Sequence, residues 1–140
     1  MNAEELWSKL SVHGYKVTNK RKQILQSLLE SDWMTAKSLF EQLQLRKANI
    51  DFSTVCRNLD ILYGLGMLCR VDLERNGNFY YCLRDREGHH HHLICRSCGK
   101  ILPLDFCPLN NINANQTQGF IDLECSFDVY GFCKECSLHD

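Results

Sequence analysis

The sequence contains no run of 18 consecutive apolar residues, so no membrane-spanning helix is expected. Its opening stretch, MNAEELWSKL, lacks the basic start and apolar centre of a secretory leader, which places the chain in the cytoplasm by expectation. There is no internal repeat. The His-Glu-x-x-His pattern of zinc hydrolases is missing, as is the His-x-Glu with Pro-Cys-x-x-Cys of zinc deaminases. Neither an enzyme nor a small organic substrate is therefore expected. Charge of one sign is also lacking: the net charge is -1, which does not by itself point to nucleic acid.

Cysteine, by contrast, is plentiful. Nine of them in 140 residues is a high count for a chain whose thiols should stay reduced. In that compartment spaced cysteines read more readily as metal ligands than as disulfides, and an odd number cannot pair completely. The 140-residue length suits one domain or two small ones. Charge and metal-type residues are unevenly distributed. Residues 1–83 carry 11 Lys/Arg against 9 Asp/Glu, and residues 84–140 carry 5 against 8. From Lys9 to Lys22 inclusive there are five Lys/Arg residues and no acid. That cluster could meet phosphates or could be a solvated helix end. The four consecutive histidines and both Cys-x-x-Cys pairs follow Cys82.

Apolar periodicity predicts four helices in the first part. The first covers residues 3–13, with Leu6, Trp7 and Leu10 near one face and Gly14 after its end. Thr18 is a fitting N-cap for a second helix carrying Ile24, Leu25, Leu28 and Leu29. Thr35 caps a third with Leu39, Phe40 and Leu43 inward. Asp51 or Ser53 opens a fourth, which runs to about Leu65, where Gly64 and Gly66 stop it. A hairpin signal follows, LCRVDLERNGNFYYCL, with Asn76-Gly77 suited to a type I′ turn. Helices followed by a hairpin describe a winged helix-turn-helix. Beyond a linker at 84–88, strands are expected at 93–95, 101–104 and near 120–130, with 110–115 a weak helix or a loop. The predicted fold is α+β, with a winged helix-turn-helix DNA-binding domain at 1–83, a hinge at 84–88 and a metal-binding α/β domain at 89–140.

In the fourth helix Val55, Leu59 and Leu62 share a face and Arg57 points away, flanked by Ser53 and Thr54. Arg57 is then either an ordinary surface arginine or a residue that reaches a base edge or phosphate. The pairs Cys95-x-x-Cys98 and Cys133-x-x-Cys136, with Gly99 after the first, can give four thiolates to one tetrahedral zinc across a 34-residue loop. A thiol redox switch working through Cys-x-x-Cys is the competing reading. In a strand His90 and His92 face one way and His89 and His91 the other. Cys82, ending the hairpin, and Asp72 on its partner strand could join His90 and His92 around one ion bridging the two domains, with Glu74 competing for the place of Asp72. Thiolate and imidazole together suit zinc better than ferrous iron. Cys69 and Cys107 read as buried thiols without a role.

The segments FSTVCRNLDILYGLGML and GYKVTNKRKQIL resemble the recognition helix and upstream segment of the ferric-uptake-regulator family, and the resemblance extends along nearly the whole chain. It implies a homodimeric repressor of double-stranded operator DNA, paired through C-terminal strands. Lys16 would approach the minor groove, Arg21 a phosphate, and Ser53, Thr54 and Arg57 the major groove, with Thr18 in the same upstream segment. Cys56 stands where the family usually carries Tyr. The resemblance also implies structural zinc on the four cysteines and a regulatory ion, zinc or Fe(II), at Asp72, Cys82, His90 and His92. Cys82, and the lack of an earlier histidine in SDWMTAKSL, are most like the zinc-uptake-regulator branch; iron-responsive and peroxide-responsive repressors are the alternatives. His89 and His91 would belong to the family's second site, which typically adds a Glu and a His. Here Cys125 replaces the latter, and the site is either altered or absent.

Overall fold

The computed structural model describes residues 2–74, 76–84, 91–123, 125 and 127–138. Contacts divide the chain into two compact units, Met1–Glu87 and Gly88–Asp140. Among the described residues no helix is long and apolar enough to cross a membrane.

The first unit holds helices α1 (Ala3–Val12), α2 (Asn19–Leu29), α3 (Ala36–Leu45) and α4 (Phe52–Gly64). Each begins at a polar side chain that accepts a backbone N–H the helix itself cannot satisfy: Asn2, Thr18, Thr35 and Asp51. Thr35 and Ser38 form a reciprocal capping box. Gly14 follows α1 with φ +83°, a left-handed conformation that costs a glycine little. The apolar stripes meet in one core, in which Leu6, Leu10, Ile24, Leu25, Leu28, Leu39, Leu43, Val55, Leu59 and Leu62 are all buried.

Strands β1 (Met34–Thr35), β2 (Leu68–Val71) and β3 (Tyr80–Leu83) form the wing in the order β1-β3-β2. The short β1 carried no alternating pattern and was not expected. The Asn76-Gly77 expectation needs correction. The last strand pair is Val71↔Tyr80, so residues 72–79 form a long loop instead of a two-residue turn. Gly77 takes a positive φ of 86°, as a turn glycine can, but the strands part too early for a type I′ turn centred on Asn76-Gly77. The Asp72 carboxylate organises the loop, accepting the N–H groups of Asn76 (3.0 Å) and Gly77 (2.8 Å).

The second unit is built on β4 (His91–Cys95), with β5 (Ile101–Leu104) antiparallel on one side and β6 (Asp128–Gly131) parallel on the other. Between β5 and β6 lie a 3-10 turn at Pro108–Asn111 and a single helical turn, α5 (Ala114–Thr117). A further turn, α6 (Lys134–Ser137), follows β6. The strand expected near 120–130 is confined to its last part. Left-handed backbone at Gln118, Gly119 and Asp122 breaks extension before it.

Candidate metal centres and nucleic-acid interface

Helix α4 buries Val55, Asn58, Leu59 and Leu62 and leaves Ser53 and Arg57 exposed, with Thr54 half-buried. Its start is fixed by Asp51, which accepts the Thr54 N–H at 2.8 Å and the Ser53 hydroxyl at 3.1 Å. These bonds hold the Asp51 carboxyl below its usual range, Thr54 contributing most. Arg21 is not a simple surface cation. Its Nε donates to Asn58 Oδ1 at 3.0 Å and its guanidinium donates to the Lys16 carbonyl at 2.9 Å, while it lies over the Tyr15 ring. It thereby ties α2, α4 and the segment before α2 together. Thr18 caps α2 through the Arg21 N–H. Lys16 is exposed. Asn58, absent from the sequence-based candidates, is 7% exposed and also donates to the Thr54 carbonyl. Its one sequence signal was a polar residue at the inward phase of the helix. Burial, then the nearby Asp60, pushes the Cys56 thiol up.

On the wing, Cys82 of β3 lies directly opposite Cys69 of β2, so both side chains share one face of the hairpin. Both are half-buried. The expectation that Cys69 is an isolated buried thiol is therefore replaced by a two-cysteine arrangement. Asp72 lies beyond the strand, where both carboxylate oxygens accept loop N–H groups.

In the second unit His91 and His92 are 1% and 5% exposed and project to opposite faces of β4. His92 Nδ1 sits 3.0 Å from Asp128 Oδ1, an arrangement that orients the ring. Asp128 is a second residue missed from sequence; only the parallel β4–β6 register, His92↔Asp128, brings it there. His89 and His90 lie outside the described residues.

Cys95 ends β4 and Cys98 lies in the turn that follows, where Gly99 takes φ 80°. Cys133 occupies the N-cap position of α6 and Cys136 lies within that turn. The four sulfurs all lie within 4.8 Å of one another, and Cys98 Sγ to Cys133 Sγ is 3.7 Å. Tetrahedral zinc with bonds of about 2.3 Å demands sulfur separations of roughly 3.8 Å, so the donor set fits the ion. The local electrostatics agree. N–H groups of Cys98 and then Cys133 point at Cys95 Sγ and bring its thiol down to about 6. The N–H of Cys136 favours a thiolate at Cys133, yet the crowding sulfurs of Cys136, Cys98 and Cys95 push it up to about 12. Four thiolates this close need a cation between them.

A second cluster joins His91, Cys107 and Cys125, whose ligand atoms again fall within 4.8 Å. Cys107, expected to have no role, is half-buried and lies in this cluster. Burial raises the Cys107 thiol, but contacts with His91 and Cys125 outweigh it and bring it below its ordinary value. Burial first, and then Cys107, pushes Cys125 up.

Residues 12–130 match the Ferric uptake regulator family. The ferric uptake regulation protein of Synechococcus elongatus is 31% identical over 139 residues, covering 96% of this chain and 94% of the relative. The ferric uptake regulation protein of Staphylococcus epidermidis is 33% identical over 137 residues, covering 97% and 96%. The ferric uptake regulator of Francisella tularensis, solved with iron, superposes with a TM-score of 0.66 at 27% identity, over 89% of this chain and 96% of that one. With an α+β fold, a winged helical unit and a cysteine cluster on its second sheet, the chain belongs to the ferric uptake regulator family of metalloregulators.

Proposed function

We propose that this chain is a zinc-responsive transcriptional repressor that binds operator DNA as a homodimer and controls metal-uptake genes. Structural zinc sits on Cys95, Cys98, Cys133 and Cys136. The regulatory ion is held by Cys82, His90 and His92. The observation that carries the metal assignment is the wing register: Cys69 stands opposite Cys82, so the face offering one thiolate offers two. Hydrogen bonding decides what that pair suits. The Arg84 N–H donates to the Met67 carbonyl, and alternation along the ladder makes Cys69↔Cys82 a hydrogen-bonded pair as well. Such pairs hold Cβ atoms about 5.5 Å apart. A disulfide needs roughly 3.5–4.5 Å, whereas two thiolates gripping one ion tolerate the wider gap. Sulfur donors favour zinc over ferrous iron. Asp72, engaged by its loop, orders the wing in this reading and contributes at most a spare lone pair to the ion.

Dimerisation is supported by an apolar row across the second sheet. Leu102, Leu93 and Val129 are neighbours in register, yet 46%, 40% and 42% exposed. A second copy covering this row would bury it. Two exposed α4 helices would then enter successive major grooves about 34 Å apart, with Arg57, Ser53 and Thr54 at base edges and Lys16 nearby. Arg21 holds α4 at its angle and keeps remaining donors for a phosphate.

An iron-responsive repressor is the second reading, favoured by relatives named for ferric uptake at 31% and 33% identity. Gel shifts on operator DNA with zinc, ferrous ion or neither separate the two. The zinc reading expects tightening by zinc alone, of about 5- to 150-fold for a coupling of ~1–3 kcal/mol. Equal binding in all lanes would reject metal control, and tightening by ferrous ion alone would reject zinc. Cys82→Ser should abolish the zinc response and leave basal DNA binding.

A further inference from the structure

We infer that Arg70 is a positioning residue for DNA recognition, which clamps helix α4 to the wing and carries the wing's metal state to the DNA-reading face. The second part rests on the regulatory reading above; the first does not. The Arg70 guanidinium lies between two rings, 3.9 Å from the centre of Tyr63 and 4.2 Å from that of Phe79. Tyr63 belongs to the last turn of α4, Arg70 to β2, and Phe79 directly precedes β3. Arg70 also donates a hydrogen bond to the side chain of its cross-strand partner Tyr81. Tyr81 is 6% exposed, and Phe79 meets its ring edge-on at 6.4 Å.

Strand alternation gives the hairpin two working faces. Arg70 and Tyr81 project to the face that packs on the core with Leu68, and Cys69 and Cys82 project to the other. The residue that grips α4 is thus the chain neighbour of one cysteine, and its partner Tyr81 is the neighbour of the other. An ion that shifts the hairpin from the cysteine face moves Arg70 with it, because the two faces share one backbone.

Small movements matter at this distance. Tyr63 lies six positions after Arg57 in one continuous helix. At a rise of about 1.5 Å per residue that is about 9 Å along the axis. A tilt of about 10° at Tyr63 displaces the Arg57 backbone by roughly 1.6 Å, against a tolerance of about 0.5 Å for side chains that must reach defined atoms. The residue type fits the task. A planar guanidinium stacks on two rings at once, which a lysine ammonium cannot do. Two such contacts together amount to a factor of about 5–30 in an equilibrium.

The test uses the full zinc-loaded chain and a duplex selected from a random pool by the wild type, with a scrambled duplex of equal length as control. Binding is read by fluorescence anisotropy over a range of salt. Arg70→Ala should lose ~5–30-fold in affinity for the selected duplex, with scrambled-duplex binding and the salt slope unchanged. Equal loss on both duplexes, with a salt slope flatter by about one, is the mark of a phosphate contact and overturns the positioning role. Wild-type affinity in folded Arg70→Ala overturns it too. Tyr63→Leu and Phe79→Leu keep the cation and remove one ring each. Both should weaken selected-duplex binding by less than Arg70→Ala does, and Phe79→Tyr should restore it. Arg70→Lys should fall between the alanine variant and the wild type. Folding is followed by urea unfolding. Should Arg70→Ala unfold, the ring variants decide, and wild-type affinity in both rejects the clamp. Arg70→Ala should also keep the wild-type zinc count while losing most of the zinc-induced tightening, whereas Cys82→Ser loses an equivalent as well. Full zinc tightening in folded Arg70→Ala rejects the transmission. A wild type that zinc does not tighten removes the regulatory reading and the transmission with it, while the comparison of the two duplexes still judges the clamp.

Discussion

Replacing Cys133 by serine should unfold the second unit while leaving the first intact. Among the described residues of the second unit, the buried apolar side chains are Ile94 and Cys95. Burying one isoleucine yields ~1.5–3 kcal/mol, whereas ordering a residue costs about 1.5 kcal/mol. Side-chain burial inside this unit is therefore far too small to hold it. Much of its apolar surface is also open, including Phe120 at 73% and Ile121 at 81% exposure. The first unit is different, with fifteen residues in one buried cluster. Structural zinc supplies ~10–16 kcal/mol in small domains, or about 2.5–4 kcal/mol for each of four thiolates. That is a large fraction of a total domain stability of ~5–15 kcal/mol. Losing Cys133 also frees the start of α6 and the anchor that joins the end of β6 to the end of β4. The assay is thermal melting of the zinc-loaded chain, followed by limited proteolysis with fragments mapped by mass. The variant should show a low-temperature transition absent from the wild type, with cleavage after the boundary at Glu87–Gly88 and a resistant fragment from the first unit. Cys133→His, which preserves a zinc ligand, should recover most of the loss. A serine variant that melts as the wild type does, while binding as much zinc, would refute the reasoning.

Arg57→Ala should weaken operator binding by ~1–3 kcal/mol and flatten discrimination at one base position, measured by fluorescence anisotropy against single-base operator variants. Leu39→Ala, in the middle of the first core at 0% exposure, should cost ~2–5 kcal/mol in urea unfolding of that unit and leave the metal count unchanged. Asn58→Ala removes the Arg21 acceptor and a bond to the Thr54 carbonyl; destabilisation of about 1–3 kcal/mol is expected, together with weaker DNA binding despite Asn58 being buried.

The elements that rest on local rules were legible in the residues themselves. A 3.6-residue apolar period and a capping side chain operate within a few turns of chain, so Thr18, Thr35 and Asp51 marked helix starts correctly. The same holds for each Cys-x-x-Cys pair, whose two-residue spacer brings both sulfurs around one point. The buried phase of α4, with Val55, Leu59 and Leu62 inward and Arg57 outward, followed from periodicity alone. What the sequence could not specify were the meetings between distant segments, because strand register and loop path come from the packing of the whole unit. Only the β2–β3 register sets Cys69 opposite Cys82, and only the parallel β4–β6 pairing puts Asp128 on His92. Cys107 joins His91 and Cys125 because the chain between β5 and β6 folds back over the sheet, a path no periodicity encodes. Asn76-Gly77 makes the same point in reverse: its local preference for a tight turn yielded to a longer loop held by Asp72.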